Sequence, residues 1–440
     1  MPQRISKSFE ILNSKEFKKN LLFWAEENFE TFCLLSSNNY DIDKYSSLKN
    51  VFAAGVIDSI TVDEGDNDAF QKLKEFADAS NDWSFGFLSY DLKNQIERLS
   101  SENLDRIGLP LLFFFKPLLL IKFDETIAEI EIMKNSAFIP EELFQEVMHY
   151  KTESKRNHEN INIKAKTSKK EYIDNVKNIK NHIQLGDIYE MNYCIEFFAE
   201  DAVIDPVECF LKLNDISPTP FSAFFKHDDK FLLCASPERF LKKLGKKIIS
   251  QPIKGTLARG INETEDYLNA DLLYNDQKER SENVMIVDLV RNDLSKSAIK
   301  GSVFVEELFG IYKFPKVFQM ISTVSSELSD QYHYTEALKM AFPMGSMTGA
   351  PKIRAMQLAE EYETTKRGLY SGSIGYIDSN KDFDFNVVIR SVIYSRNNSC
   401  LSFMAGSAIT IGSNPEKEYL ECLLKAQSMA SIFNHKLENE

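Results

Sequence analysis

The chain reads as an α+β protein in which large, mostly antiparallel β-sheets pack as a sandwich and helices lie on the outside. Three observations predict this. Strand-length apolar runs separated by charged turns fill the first part of the 440 residues. Helical periodicities alternate with further strands beyond Ser168. Hydrophobic residues make up 43% of the chain and include thirty-three Phe, enough apolar surface for a large core. This length is compatible with two or three domains or with one intertwined sandwich.

In chain order, Trp83–Tyr90 and Leu109–Phe115 are apolar runs of strand type. The most apolar stretch, Leu109 to Phe123, is interrupted by Lys116-Pro117 and is too short to cross a bilayer, so it reads as buried strand. Between about Asn135 and Lys170 the sequence turns polar, which predicts a helix followed by a mobile linker. A helix starts at Ser168, where Ser-Lys-Lys-Glu has capping-box spacing, runs through Tyr172, Val176, Ile179 and Ile183, and ends at Gly186. Strands are then expected at Phe221–Phe225, Lys230–Cys234 and Lys246–Pro252, one helix from about Glu263 to Val290, helices at Thr335–Phe342 and Lys352–Tyr362, and three strands between Gly372 and Ile411. Seven of the seventeen glycines, from Gly345 to Gly412, crowd into sixty-eight residues. Glycine serves tight turns and close approach to a ligand, so this third of the chain is expected to line a pocket.

Charge and cysteine usage exclude several classes. A net charge of −14 opposes nucleic acid and acidic membrane surfaces, so an anionic substrate must meet locally placed Arg, Lys or metal. Six scattered cysteines without a CxxC pair, and no apolar leader at the start, predict a reduced, cytoplasmic setting. The six histidines lack HxxxH and HExxH spacing, which argues against a zinc site.

Chemistry concentrates around Pro252-Ile253-Lys254-Gly255-Thr256, which holds a lysine between a stiff dipeptide and a glycine. A lysine becomes a nucleophile when desolvation or a cationic neighbour lowers its pKa, and it then needs a separate proton donor. Glu238 lies sixteen residues before it and Glu282 twenty-eight after. Glu282 precedes the periodic apolar run Val284–Val290, and a carboxylate at the edge of a buried stripe needs a partner. Phe342 to Lys352 places small and hydroxyl residues, Ser346 among them, before a helix with proline in its first turn, an anion-holding start or an ordinary tight connection. No Gly-Lys-Ser/Thr closes that loop, so nucleotide phosphate is not indicated. In Phe383–Arg390, strand alternation puts Arg390 opposite Phe385, Val387 and Ile389, where it is either a bidentate carboxylate fork or an exposed strand arginine. Glu418 and Glu421 share a helix face with Lys425 one turn on, a solvated acidic face or, joined by Glu282, a carboxylate set suited to Mg2+.

Together these segments resemble the chorismate-utilising enzymes, among them anthranilate synthase, isochorismate and salicylate synthases, and component I of aminodeoxychorismate synthase. The motifs that carry the resemblance run in order from Gly186-Asp187-Ile188-Tyr189 through Ser236–Arg239, Pro252–Thr256, Asp288–Leu294, Gly349–Lys352, Gly372–Tyr376 and Ile389–Ser391 to Glu418–Glu421. A fainter match at Gly86–Asp91 extends it towards the N-terminus. The resemblance implies an anthranilate synthase component I-like fold, with a β-rich region over residues 1–150 intertwined with a chorismate-binding catalytic region over 168–432.

Within that family a lysine at the place of Lys254 resembles the aminodeoxychorismate synthases, where anthranilate synthases usually have alanine. The resemblance implies amination at C4 of chorismate through a covalent lysine intermediate. Lys254 would add at C2, Glu238 would act as general acid, and Mg2+ would be held by Glu282 and Glu421 with Glu418 nearby. Thr256, Ser346, Tyr370, Arg390, Gly406 and Lys425 fall where the family contacts substrate. No Cys-His-Glu amidotransferase module is present, so ammonia is expected from a separate glutamine amidotransferase subunit (component II).

Some positions depart from the family pattern. Gln319 replaces a histidine that anthranilate synthases use near elimination, which favours a product that keeps its pyruvyl ether. Glu190 stands where aminating members usually have glutamine and where isochorismate and salicylate synthases have a water-activating lysine. Ala258 replaces a proline, and Ser407-Ala408 replace a glycine pair. Anthranilate synthase is the alternative reading; isochorismate or salicylate synthase and a non-catalytic chorismate-binding protein rank below it. In relatives an N-terminal cleft between sheets can hold tryptophan, and Leu34-Leu35-Ser36-Ser37 falls near that place.

Overall fold

The computed structural model describes residues 4–40, 44–46, 48–151 and 161–438. Every pairing between its principal strands is antiparallel, as the sequence predicts. The strands form one hydrogen-bonded network that divides into two sheets joined through Asn50–Val62 and Leu112–Phe123. In the first, Arg4–Glu10 and Ile127–Met133 pair beside the end of Leu112–Phe123, and the order continues through Asn50–Val62, Thr31–Ser36, Phe221–His227, Lys230–Ser236, Ser391–Ser395 and Cys400–Ile409 to Glu190–Ala199. In the second, the other half of Leu112–Phe123 pairs with Ser84–Leu88. The order then runs through Ser373–Ile377, Phe383–Asn386, Arg239–Leu244, Lys247–Gln251 and Val317–Glu327 to Ile253–Ala258 and Phe304–Lys313. The apolar run at Leu109–Phe123 is therefore a strand that continues through Lys116-Pro117 and serves both sheets.

Between the sheets lies a core rich in aromatic rings, with Phe85, Phe87, Phe113 and Phe115 packed against Phe225, Ile374 and Tyr376. The outer face of the first sheet buries a second cluster under helices Ser14–Asn28, Pro140–Met148, Lys169–Leu185, Pro206–Ile216 and Pro415–Ala430. Helices Ala69–Asp78, Gln277–Ser295 and Tyr334–Ala341 cover the second. No helix among the described residues is long and apolar enough to cross a membrane.

The local signals around Ser168 hold. Its hydroxyl accepts from the Glu171 amide at 3.3 Å and Gly186 ends the helix at φ +84°. Elsewhere the structure corrects the sequence reading. The helix expected from Glu263 to Val290 is two helices, Glu263–Asn275 and Gln277–Ser295, because Asp276 leaves helical geometry and caps the second through the Glu279 amide at 2.9 Å. Between Gly372 and Ile411 there are four strands instead of three. Strands Arg239–Leu244 and Ile253–Ala258 have no counterpart in the expected set. Helix Pro140–Met148 occupies part of the polar stretch, and residues 152–160 of the expected linker lie outside the described residues.

Candidate active site

The two sheets also meet through Ile253–Ala258 of the second and Glu190–Ala199 of the first. Lys254, on Ile253–Ala258 of the second sheet, donates from Nζ to Oε1 of Glu190, the first residue of Glu190–Ala199 in the first, at 2.8 Å. A bulge aims the lysine. Ile253 pairs with Ile321 and Thr256 with Gln319, so the lysine strand carries one extra residue between them, and Gly255 takes φ +92°. Bulges next to active sites re-aim side chains in this way, and glycine supplies the positive φ without strain.

The Lys254 side chain is 12% exposed. Burial alone would push its pKa down, but the charges of Glu190, Glu282 and Glu238 together outweigh burial and hold it above the ordinary lysine value. The expectation of a lowered lysine pKa is thus corrected: Lys254 is an ammonium clamped among carboxylates.

Glu238 sits in the turn between Lys230–Ser236 and Arg239–Leu244, fixed by its amide on Ser236 Oγ at 3.2 Å and its carbonyl on the Val387 amide at 3.0 Å. Burial raises its carboxyl to about 7, against the opposing pull of the Ser346 hydroxyl and the Lys254 charge. Such a carboxyl can give up a proton at neutral pH. Ser346 lies in the short turn Gly345–Met347.

Glu282 projects from the buried side of Gln277–Ser295 and is 7% exposed. Burial raises it to about 7, with Lys254 and Lys278 pulling down and Glu190 and Glu279 pushing up. Its Oε1 has no hydrogen-bond partner among the described residues. Lys278 Nζ stands 3.7 Å from that oxygen and 3.8 Å from Glu418 Oε1, midway between two helices.

The three carboxylates expected around Mg2+ are not gathered into one set. Among the described residues no group of three His, Cys, Asp or Glu could hold a metal ion. Glu418 is buried, whereas Glu421 is exposed and pairs with Lys425 at 2.7 Å. Burial would raise the Glu421 pKa, but Lys425 leaves it below its ordinary value. An i, i+3 pair at the edge of a buried face sends one side chain in and the other out. The donors still suit Mg2+, which takes one or two carboxylates and fills its octahedron with waters and substrate oxygens. Glu282, with its orphaned oxygen beside Glu418, offers that much once Lys278 moves aside.

The expected substrate contacts divide. Arg390 is corrected: the strand ends at Asn386, and Arg390 sits in a bend at φ +50°, so strand alternation does not set its direction. Its guanidinium makes no hydrogen bond or ion pair among the described residues, and burial lowers its pKa. It is a desolvated cation without an anion. Gly406 and Lys425 meet each other, Lys425 Nζ donating to the Gly406 carbonyl at 3.0 Å. Tyr370 lies within the core, its hydroxyl accepting from the Cys194 thiol at 3.8 Å. Thr256 is exposed at the strand surface. Pro351 is the N-cap of Lys352–Tyr362, one place before the first turn.

The glycine-rich third contributes more to strand packing than to ligand approach. A Cβ on Gly349 would meet the Glu190 carbonyl at 2.2 Å, and one on Gly406 the Cys194 Sγ at 2.5 Å. Gly349 thereby lets Gly349–Ala350 pair against Met191 and Glu190 and fixes the start of that strand. Two residues of this neighbourhood escaped the sequence reading. Lys278 was detectable from its i, i+4 spacing to Glu282. Glu190 stood out only as a departure from the family pattern. Away from the site, Leu35, Ser36 and Ser37 line a cavity with Phe221, Arg239 and Asp384.

Residues 30–431 match the chorismate binding enzyme family. The chain is 33% identical, over 79% of its length and 76% of the relative's, to aminodeoxychorismate synthase component 1 of Bacillus subtilis (strain 168). It is 39% identical to the protein of that name from Escherichia coli (strain K12), over 58% of this chain and 55% of that one. Among solved structures, anthranilate synthase component I from Streptococcus pneumoniae TIGR4 superposes with a TM-score of 0.75 at 26% identity, covering 88% of this chain and 94% of that one.

Proposed function

The chain belongs to the chorismate-binding enzyme family, and from that premise we propose that it is an aminodeoxychorismate synthase component 1. It converts chorismate and ammonia into 4-amino-4-deoxychorismate, the precursor of 4-aminobenzoate in folate biosynthesis, in the cytoplasm. A separate glutamine amidotransferase (component II) delivers the ammonia. The observation that carries this reading is a largely buried lysine, Lys254, whose charge acts on the proton-holding carboxyl of Glu238 while its Nζ donates to Glu190 at 2.8 Å.

The amine of Lys254 attacks C2 of the ring, the double bond shifts, and Glu238 gives its proton to the departing C4 hydroxyl, which leaves as water. Ammonia then attacks C4 and expels the lysine. Splitting one displacement into two lowers each barrier. Arg390 supplies a desolvated charge, unpaired among the described residues, that a substrate carboxylate needs, and Ser346 and the Lys425–Gly406 pair are the further contacts, while Thr256 stands at the strand surface and Tyr370 in the core. Mg2+ would be held by Glu282 and Glu418, with Glu421 joining once Lys425 releases it, and would neutralise charge on the ring carboxylate. Gln319, with a buried and unpartnered Oε1, replaces a group that could drive pyruvate loss, which supports retention of the pyruvyl ether.

The test is product analysis with chorismate, Mg2+ and excess ammonium at mildly alkaline pH, with and without an aminodeoxychorismate lyase. The expected result is 4-aminobenzoate only when the lyase is present. Direct formation of anthranilate would place the chain in the other branch of its family.

A further inference from the structure

A lysine that attacks carbon must first lose a proton, and Lys254 is held as an ammonium. The charges that face it come from four elements: Glu190 from strand Glu190–Ala199, Glu238 from the turn before Arg239–Leu244, Glu279 and Glu282 from Gln277–Ser295, and Glu421 from Pro415–Ala430. Among the described residues, only Glu190 is in hydrogen-bond contact with Nζ, at 2.8 Å. Glu238 has to carry a proton itself if it is to act as the acid, and Glu282 is committed to Mg2+. Glu190 has neither duty. It is 1% exposed, its second oxygen Oε2 is buried without a hydrogen-bond partner, and Gly349–Ala350 pins its backbone.

We propose that Glu190 is the catalytic base that takes the proton of Lys254 as the amine attacks, and returns it when the amine is expelled. The inference rests on the covalent lysine reading above. In the first half-reaction Lys254-NH3+ and Glu190-COO− become Lys254-NH2 and Glu190-COOH, the C2–N bond forms, and the C4–O bond breaks as Glu238 protonates the leaving water. The adduct nitrogen is then a secondary ammonium. In the second, ammonia bonds to C4, the C2–N bond breaks to release neutral Lys254, the product ammonium reprotonates Glu238, and Glu190 hands its proton back. The sum is chorismate plus ammonia giving aminodeoxychorismate plus water. A glutamine, which aminating relatives usually carry at this place, could hold the lysine by a hydrogen bond but could not take its proton, so the base proposed here is particular to this chain.

The test compares Glu190→Gln with the unaltered chain across a pH series. The readout is the ratio of their kcat values, so that titration of Glu238 and of ammonium cancels. At low pH the ratio is expected to fall to about one hundredth, the usual scale for loss of a general base, and to climb as pH rises and solvent removes the proton instead. Labelling of Lys254 by a small amine-reactive reagent, read by peptide mass spectrometry, should rise with the same midpoint in the variant. A ratio near one throughout, or a low ratio indifferent to pH, overturns the proposal, the latter because it marks a purely structural loss. If Glu190→Gln fails to fold, Glu190→Ala with added formate replaces it: turnover restored by formate supports the base, and a folded variant that formate leaves inactive overturns it. Lys254→Ala separates the two readings. Should that variant still aminate chorismate, the covalent step fails, whereas an inactive Lys254→Ala beside a fully active Glu190→Gln removes Glu190 alone.

Discussion

At the residue scale, the site depends on carboxyl groups kept from water. Glu238 at about 7 is the clearest case, because burial opposes its charge more strongly than Lys254 favours it. A donor with that pKa gives a kcat/KM profile that falls on the alkaline side with a midpoint near 7, and Glu238→Gln should lose about a hundredfold or more in kcat. A profile without that limb would remove Glu238 as the acid. The same shift sets a sign for stability. The folded carboxyl keeps a proton that the unfolded chain releases at about 4.5, so the stabilising contribution of Glu238 is complete below 4.5 and is lost as pH rises to about 7. Glu282 follows the same course without metal. Lys254→Ala should abolish C4 amination with the fold intact at the assay temperature, checked by circular dichroism, although it should lower the melting temperature because the buried Glu190 loses its ion-pair partner. Normal turnover in that variant would eliminate the covalent step. What the sequence disclosed at this scale was a set of candidates: Lys254, Glu238 and the helix carboxylates could be named from motif order. Their protonation could not, because it depends on burial and on neighbours distant in the chain, such as Glu190, which lies 64 residues from Lys254 in sequence and 2.8 Å from it in space.

At the element scale, capping signals were legible where they are local. Ser168 and Gly186 bound a helix as written, and Asn275-Asp276 followed by Glu279 held an equally local signal for the break between the two helices. The bulge at Lys254-Gly255 was not legible, since the register against Val317–Glu327 arises only when the strands pair. The carboxylate pair on Pro415–Ala430 shows the limit of face arguments, because i, i+3 spacing does not say which residue lies at the buried edge. Burial ranks the proposed Mg2+ ligands. Glu282→Gln removes a buried carboxylate with an orphaned oxygen, so it should raise the Mg2+ concentration needed for half-maximal activity well above the effect of Glu421→Gln, which first breaks an exposed pair with Lys425. A metal titration of both variants checks the order. An unchanged requirement in Glu421→Gln would remove that residue from the set, and one in Glu282→Gln would remove the site from this helix.

At the scale of the whole molecule, the strands that tie the sheets together come from the first part of the chain. Asn50–Val62 and Leu112–Phe123 run through both sheets, and the core between them joins Phe85, Phe87, Phe113 and Phe115 to Phe225, Ile374 and Tyr376. Composition announced such a core through its Phe content, but not that residues far apart in sequence would share it, because pairing over that separation leaves no periodic trace. The region over 1–150 covers part of its apolar surface with its own helices Ser14–Asn28 and Pro140–Met148, but its Phe85, Phe87, Phe113 and Phe115 are covered from residues of 168–432, so the two should unfold together. The two tryptophans, Trp24 and Trp83, both lie in the first region, one fully buried and the other stacked near Phe85. Tryptophan fluorescence therefore reports on that region, while far-ultraviolet circular dichroism reports on helices that lie largely in the other. Coincident denaturation curves from the two probes are expected, since coincidence is the mark of an all-or-none transition. If fluorescence changed at lower denaturant while the helical signal and chorismate turnover persisted, the N-terminal region would be a separate unit, and the catalytic pocket would stand on the second region alone.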